Sequence, residues 1–251
     1  MTSESDLAGK TILVTGASSG LGRSFVRFLV SKGAKVAAAA RRTDLLAELA
    51  AESAGAVLPV KMDVCSIASI EAACAEVEQR FGPIEILINN AGIAFQGRAV
   101  DTTEADFDRV FATNIKGAFF VAQACARRMI ELKIEGRIVN TASIAGQVSI
   151  PQLSIYGMSK AAVVHMTKVL ANEWSRYGLS VNALAPGYVA TELNTEFFAS
   201  DAGAKVVQSL PKKRIGRAED IHDALLLLVS PTAGRLMNGS VLVVDDGYSV
   251  K

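Results

Sequence analysis

Cysteine and histidine are scarce in this sequence, and that scarcity removes whole classes of chemistry. Cys65, Cys74 and Cys125 are an odd number without Cys-x-x-Cys spacing, and His165 and His222 are scattered. A zinc cluster or a disulfide framework is excluded on those grounds, no metal site is expected, and the cysteines read as reduced, half-buried packing residues. An excess of either charge is missing as well. The net charge of +1 is spread along the chain, so no field attracts nucleic acid or an anionic membrane surface. No run of about eighteen apolar residues is long enough to span a bilayer, and the opening Met-Thr-Ser-Glu-Ser-Asp has neither the basic nor the apolar region of a signal peptide. These absences predict a cytoplasmic protein without nucleic-acid or membrane partners. Internal repeats, linkers and low-complexity segments are absent too.

Apolar, glycine-punctuated segments are what the chain has in quantity. With 50% hydrophobic and 20% charged residues over 251 positions it can bury a sizeable core, and a single domain spanning 1–251 is expected. Strand-like apolar runs recur at 11–15, 35–40, 57–62, 84–89, 136–141, 179–184 and 240–244, with helical periodicity in most gaps. That alternation predicts an α/β fold, a Rossmann-type doubly wound parallel sheet flanked by helices, with ligands at the carboxyl ends of the strands. The longest irregular stretch, about 188–217, is expected to be a lid or binding loop.

Two motifs carry chemistry. Thr15-Gly16-Ala17-Ser18-Ser19-Gly20-Leu21-Gly22 follows a short strand-like run and opens an apolar helix. Glycines permit a tight turn and close approach of a phosphate, and a helix N-terminus offers free N–H groups, so the turn suits a pyrophosphate. Tyr156 and Lys160 stand four residues apart, after Ser143. On a helix that spacing stacks phenol and ammonium on one face, and the ammonium is expected to favour the phenolate, drawing a pKa of about 10 toward neutrality.

Together these runs resemble the short-chain dehydrogenase/reductase family in its single-domain form, over nearly the whole chain. The matching pieces, in order, are the glycine turn, Asp63, Asn89-Asn90-Ala91-Gly92, Asn114, Ser143, Tyr156 with Lys160, and Pro186-Gly187 followed by Thr191. One departure is Asp245-Asp246-Gly247, where the family usually reads Asp-Gly-Gly. The resemblance implies a nicotinamide-dependent oxidoreductase acting on a carbonyl or alcohol. Tyr156 is its general acid and base, Lys160 lowers the tyrosine pKa and bonds the nicotinamide ribose, Ser143 polarises the carbonyl, and Asn114 holds a water that completes the proton relay. It further implies cofactor contacts at Gly16, Ser18, Ser19, Gly20, Leu21 and Gly22, at Asp63 and Val64 beside the adenine, at Asn90, Ala91 and Gly92, and at Pro186, Gly187, Val189 and Thr191. Asp63 also reads as a helix N-cap.

The second strand ends Ala37-Ala38-Ala39-Ala40-Arg41-Arg42, with no carboxylate before Asp44. Nothing there repels a 2′-phosphate, and guanidinium groups can clamp one, so NADP(H) is expected over NAD(H). In similar proteins the first arginine after the strand makes the contact, which favours Arg41 over Arg42. Ser143, Ile144, Gln147, Ile150, Leu153, Tyr188, Leu193, Phe197 and Phe198 are the candidate substrate walls. Being mostly apolar, they favour a small apolar carbonyl or alcohol. A 3-oxoacyl-carrier reductase, with Arg128 and Arg176 meeting an acidic carrier, remains an alternative, as does a catalytically silent NADP(H) sensor. Wide apolar arcs on the helices at about 104–133 and 155–177, together with the resemblance, imply a homotetramer.

Overall fold

The computed structural model describes residues 4–192 and 194–250. Its strands are β1 (Thr11–Thr15), β2 (Lys35–Ala40), β3 (Val57–Lys61), β4 (Ile86–Asn89), β5 (Arg137–Thr141), β6 (Ser180–Pro186) and β7 (Val241–Val244). All pair in parallel, in the order β3-β2-β1-β4-β5-β6-β7. Each falls within two residues of an apolar run read from the sequence. The reason is burial on both sides: every residue of β1 is buried, so its pattern is continuous and not alternating.

The helices are α1 (Gly20–Ser31), α2 (Thr43–Ala51), α3 (Ile67–Phe81), α4 (Glu104–Phe111), α5 (Ala118–Glu131), α6 (Ser154–Trp174), α7 (Thr195–Ala199), α8 (Asp201–Ser209) and α9 (His222–Val229). Phe25, Val26 and Leu29 of α1 pack with Leu46 and Leu49 of α2 and Leu225 of α9 on one face of the sheet. Ile70 and Val77 of α3, Val121 of α5 and Leu170 of α6 fill the other. Each such side chain stabilises the fold by about 1.5–3 kcal/mol relative to exposure. Side-chain caps fix where helices begin: Ser66 accepts from Ser69 N at 3.3 Å and Thr103 from Asp106 N at 3.1 Å.

The chain crosses to one side of β1 to make β2 and β3, then to the other to make β4 through β7. The crevice where the order reverses, at the carboxyl ends of β1 and β4, is where such folds bind ligands. Between α4 and α5 the helix widens into a π-helical stretch, Ala112–Gly117, that carries Asn114. The 188–217 segment differs from its expected irregularity, because α7 and α8 occupy its middle. Ser200 ends one helix and caps the next, accepting from Gly203 N at 3.2 Å, so neither is long enough to leave a clear periodic trace. Among the described residues no helix is long and apolar enough to cross a membrane.

Candidate active site

A cavity of about 730 Å³ runs along the carboxyl ends of the strands, lined both by the glycine turn and by Ser143, Tyr156 and Lys160. The turn is held from outside. Thr15 Oγ1 accepts from Asn90 N and Ala91 N, both at 3.0 Å, and Asn90 Nδ2 donates to Thr15 O at 3.0 Å. Gly16 has φ +67°, and a Cβ on Gly22 would fall 2.3 Å from Gly16 O and 2.6 Å from Asn90 Nδ2, so only glycine lets α1 approach β4 this closely. Asn90 therefore braces the turn with its side chain while it lines the cavity. Ser19 precedes α1 without a side-chain capping bond, and no carboxylate stands in the first turn, which leaves backbone N–H groups beside the cavity for an anion.

The two arginines after β2 part company. Both are exposed and line the cavity, and Arg42 folds back over the turn, donating to Ser18 Oγ at 3.0 Å and to Ser19 Oγ at 2.7 Å. Asp63 and Val64 line the neighbouring wall. Asp63 Oδ1 accepts from Cys65 N at 3.0 Å, and Ser66, not Asp63, caps α3. None of the cysteines is half-buried: Cys65 is exposed beside them, while Cys74 and Cys125 are buried because α3 and α5 turn both thiols into the core.

Ser143 opens a single 3₁₀ turn, its Oγ accepting from Ala145 N at 3.2 Å. The small Gly146 and Gly157 let this turn lie against α6, where added Cβ atoms would come within 2.6 Å of Lys160 C and 2.8 Å of Ala145 O. Burial raises the Tyr156 pKa above its usual value, and a hydrogen bond from Ser143 only partly offsets it. Lys160 is itself drawn down to about 8 by burial. Its Nζ donates to Thr141 O at 2.7 Å and stands 5.7 Å from the centre of the Tyr156 ring. The expected lowering of the tyrosine by its neighbour is thus reversed here: desolvation of the phenolate outweighs an ammonium that is turned toward a carbonyl.

Asn114 is buried, with Oδ1 accepting from Ile93 N at 2.8 Å and Nδ2 donating to Ile93 O and Ser159 Oγ, both at 2.9 Å. It ties the irregular stretch following the Asn90-Ala91-Gly92 corner to α6, and both Asn114 Oδ1 and Lys160 Nζ come within 3.4 Å of where a Gly92 Cβ would sit. After β6, Gly187 passes so close to Asp245 that a Cβ would lie 2.7 Å from its Cα. Asn194 shapes the next turn, accepting from Thr191 N at 2.8 Å and donating to Val189 O at 2.9 Å.

Of the substrate walls expected from sequence, Ser143, Ile144, Ile150, Leu153 and Tyr188 line the cavity. Gln147 does not, being exposed where the 3₁₀ turn ends. Phe197 and Phe198 do not either; they are half-buried on α7, with Phe198 edge-on to Tyr188 at 6.2 Å. Leu193 lies outside the described residues. Thr15, Ile93, Thr141, Ser159 and Asn194 were missed by the sequence reading. Thr15 and Ser159 sit inside or beside the quoted motifs, but nothing in their spacing says what they bond. Among the described residues no group of three or more His, Cys, Asp or Glu is placed to hold a metal.

A family model described as short chain dehydrogenase matches residues 10–202. The chain is 35% identical to an NAD-dependent glycerol dehydrogenase of Listeria innocua over 98% of this chain and 96% of that one. It is 38% identical to a D-threitol dehydrogenase of Mycolicibacterium smegmatis over 98% and 95%. Among solved structures, a short-chain type dehydrogenase/reductase from Mycobacterium marinum superposes with a TM-score of 0.92 at 37% identity, covering 98% of each chain.

Proposed function

This chain belongs to the short-chain dehydrogenase/reductase family and is an oxidoreductase of alcohol or carbonyl groups; from that premise we propose that it interconverts a small apolar ketone or aldehyde with its alcohol, preferring NADP(H) to NAD(H), through a relay of Tyr156, Lys160, Ser143 and Asn114. The reading is carried by the convergence of Ser143, Tyr156 and Lys160 on the same cavity that the glycine turn lines. A bound nicotinamide dinucleotide supplies or takes up the hydride. The residues fit such a group: the uncapped first turn of α1 suits a pyrophosphate, and Arg41 and Arg42 follow β2 with no carboxylate before Asp44.

In reduction the Tyr156 phenol gives its proton to the substrate oxygen, and its raised pKa keeps it protonated for that task. Ser143 donates to the same oxygen and steadies the charge that develops there. Lys160 stands by the resulting phenolate, and its pKa of about 8 leaves it charged at neutral pH yet able to release a proton. Asn114 serves by fixing Gly92 and α6 on either side of that ammonium.

The glycerol and threitol dehydrogenases act, by their names, on polyols. Here the walls beside Tyr156 are Ile93, Ile144, Ile150, Leu153 and Tyr188, and the Asn194 amide is committed to Val189 and Thr191. That lining supports an apolar substrate. Arg128, which could have met an acidic carrier, is held by Glu78 and Glu131, which weighs against the carrier-bound reading. The protein is proposed to be cytoplasmic and a homotetramer, with exposed Phe107, Met158 and Val169 on α4 and α6 facing partner subunits.

The test is a rate panel with NADPH and NADH over small ketones and a carrier-bound 3-oxoacyl chain, run beside oxidation of glycerol and threitol. Higher kcat/KM for an apolar ketone with NADPH is expected. Preference of the wild type for NADH, or turnover of polyols or carrier substrates alone, overturns the reading. Arg41→Ala and Arg42→Ala should each weaken NADPH about ten-fold, as loss of a charge-assisted contact implies, and leave NADH within about two-fold.

A further inference from the structure

Residues 245–250 end the described chain beside the 188–217 segment, and two of their side chains reach its two ends. Asp246 takes a left-handed conformation, φ +55°, that non-glycine residues adopt at a cost. Lys213 does the same, with φ +49°. The Asp246 carboxylate meets the side chains on either side of Lys213. Asp246 Oδ1 accepts from Lys212 Nζ at 2.8 Å and Oδ2 from Arg214 Nε at 2.7 Å, so the kink at Lys213 brings both flanking cations onto one carboxylate. They hold that carboxyl down to about 2, so it is charged at any physiological pH.

The second contact joins two tyrosines, by ring packing and by a side-chain hydrogen bond that adds to burial in raising the Tyr188 pKa to about 12. The Tyr248 ring meets Tyr188 edge-on at 5.4 Å, and Tyr188 in turn meets Phe198 at 6.2 Å. Tyr188 lines the cavity and begins the segment, whereas Lys212 and Arg214 lie near its end. The terminal residues are themselves rigidly turned: Asp245 accepts from Gly247 N at 2.9 Å and from Ser249 N at 2.7 Å, and its backbone packs on Gly187. The end of the chain thus grips both stems of the piece that carries α7 and α8.

We infer that Asp246 and Tyr248 are positioning residues that set substrate selectivity, Asp246 by tying down the Lys212–Arg214 stem and Tyr248 by holding Tyr188 as the wall opposite Ser143 and Tyr156. The selectivity half rests on the carbonyl-reductase reading; the mechanical half does not. Asp246→Asn removes the ionic grip and keeps the shape of the side chain. Its KM for the best ketone should rise about three- to ten-fold, with kcat and NADPH affinity within about two-fold, as loss of two partly exposed charge contacts implies. Raising NaCl from about 0.05 to about 0.5 M should lift the wild-type KM and leave the variant flat, because only the wild type has a screenable pair. Tyr248→Phe, which loses the hydrogen bond to Tyr188 and keeps the ring contact, should raise KM less than Tyr248→Ala, which loses both. Independently of any substrate, trypsin should cut between residues 188 and 217 faster in Asp246→Asn than in wild type. Equal cleavage rates, or equal salt dependence of KM in the two proteins, overturn the inference. If no ketone is turned over but cleavage accelerates, the substrate reading fails while the grip stands.

Discussion

Lys160 carries its charge where solvent cannot reach it, and that placement has a signature in stability. Burial lowers its pKa to about 8, so the folded protein releases this proton before the unfolded chain does. Above about pH 8 the unfolded state binds more protons, and stability from this group rises with pH until the raised Tyr156 begins to oppose it near pH 10. Relative to Lys160→Met, the wild type should therefore gain on the order of 2 kcal/mol between about pH 8 and pH 10. Urea melts of both proteins across that range measure the difference, and a flat difference refutes the assigned environment. Tyr156→Phe removes the transferable proton and little volume. Its turnover should fall about 10²–10⁴-fold with NADPH binding retained, and a variant keeping more than about a third of the wild-type rate refutes the acid role. Tyr156 and Lys160 were readable from their spacing because both lie on one helix. That Arg42 and not Arg41 bends onto Ser18 and Ser19 was not readable, since adjacent positions differ only in where the backbone leaves β2.

The glycine turn shows why some elements announce themselves and others do not. Gly16 and Gly22 were legible because no other residue fits between β1, α1 and Asn90, so the requirement appears directly as residue type. Gly22→Ala should destabilise the fold by about 1–3 kcal/mol and weaken NADPH, since its Cβ would fall 2.3 Å from Gly16 O. Thermal melts with and without NADPH measure both, and an unchanged midpoint refutes the packing argument. The strands were legible as continuous apolar runs. The helices α7 and α8 were not, because five and nine residues carry too little periodicity. Nor was the π-helical stretch at Ala112–Gly117 legible: it differs from an α-helix only in a hydrogen-bond register that composition does not encode.

Taken whole, the subunit leaves Phe107, Met158 and Val169 exposed on α4 and α6. If these faces meet in a homotetramer, Phe107→Glu combined with Val169→Glu should sediment as a smaller particle than the wild type, and a monomeric wild type refutes the proposed assembly. The sheet order, the crevice and the family were legible because seven strand runs and the motifs that follow them occur in a fixed sequence; the contacts of Thr15 with Asn90 and of Asp246 with Arg214 were not, since each joins residues that only folding brings together. The π-helical stretch also bears on where the gene can change length. Such a stretch amounts to one extra residue threaded into an α-helix, so deleting Ile115 would let α4 run unbroken into α5 with every backbone bond still made. The flanking helices would keep the faces they now bury, and the loss would fall on the wide turn itself, shifting Asn114 away from Ile93 and Ser159. An in-frame deletion there would yield a folded, soluble protein with a broken site, whereas one in the 53–56 turn would leave every site residue in place. The number of codons between β4 and β5 is therefore constrained by the chemistry of the crevice and not by the helix that spans them.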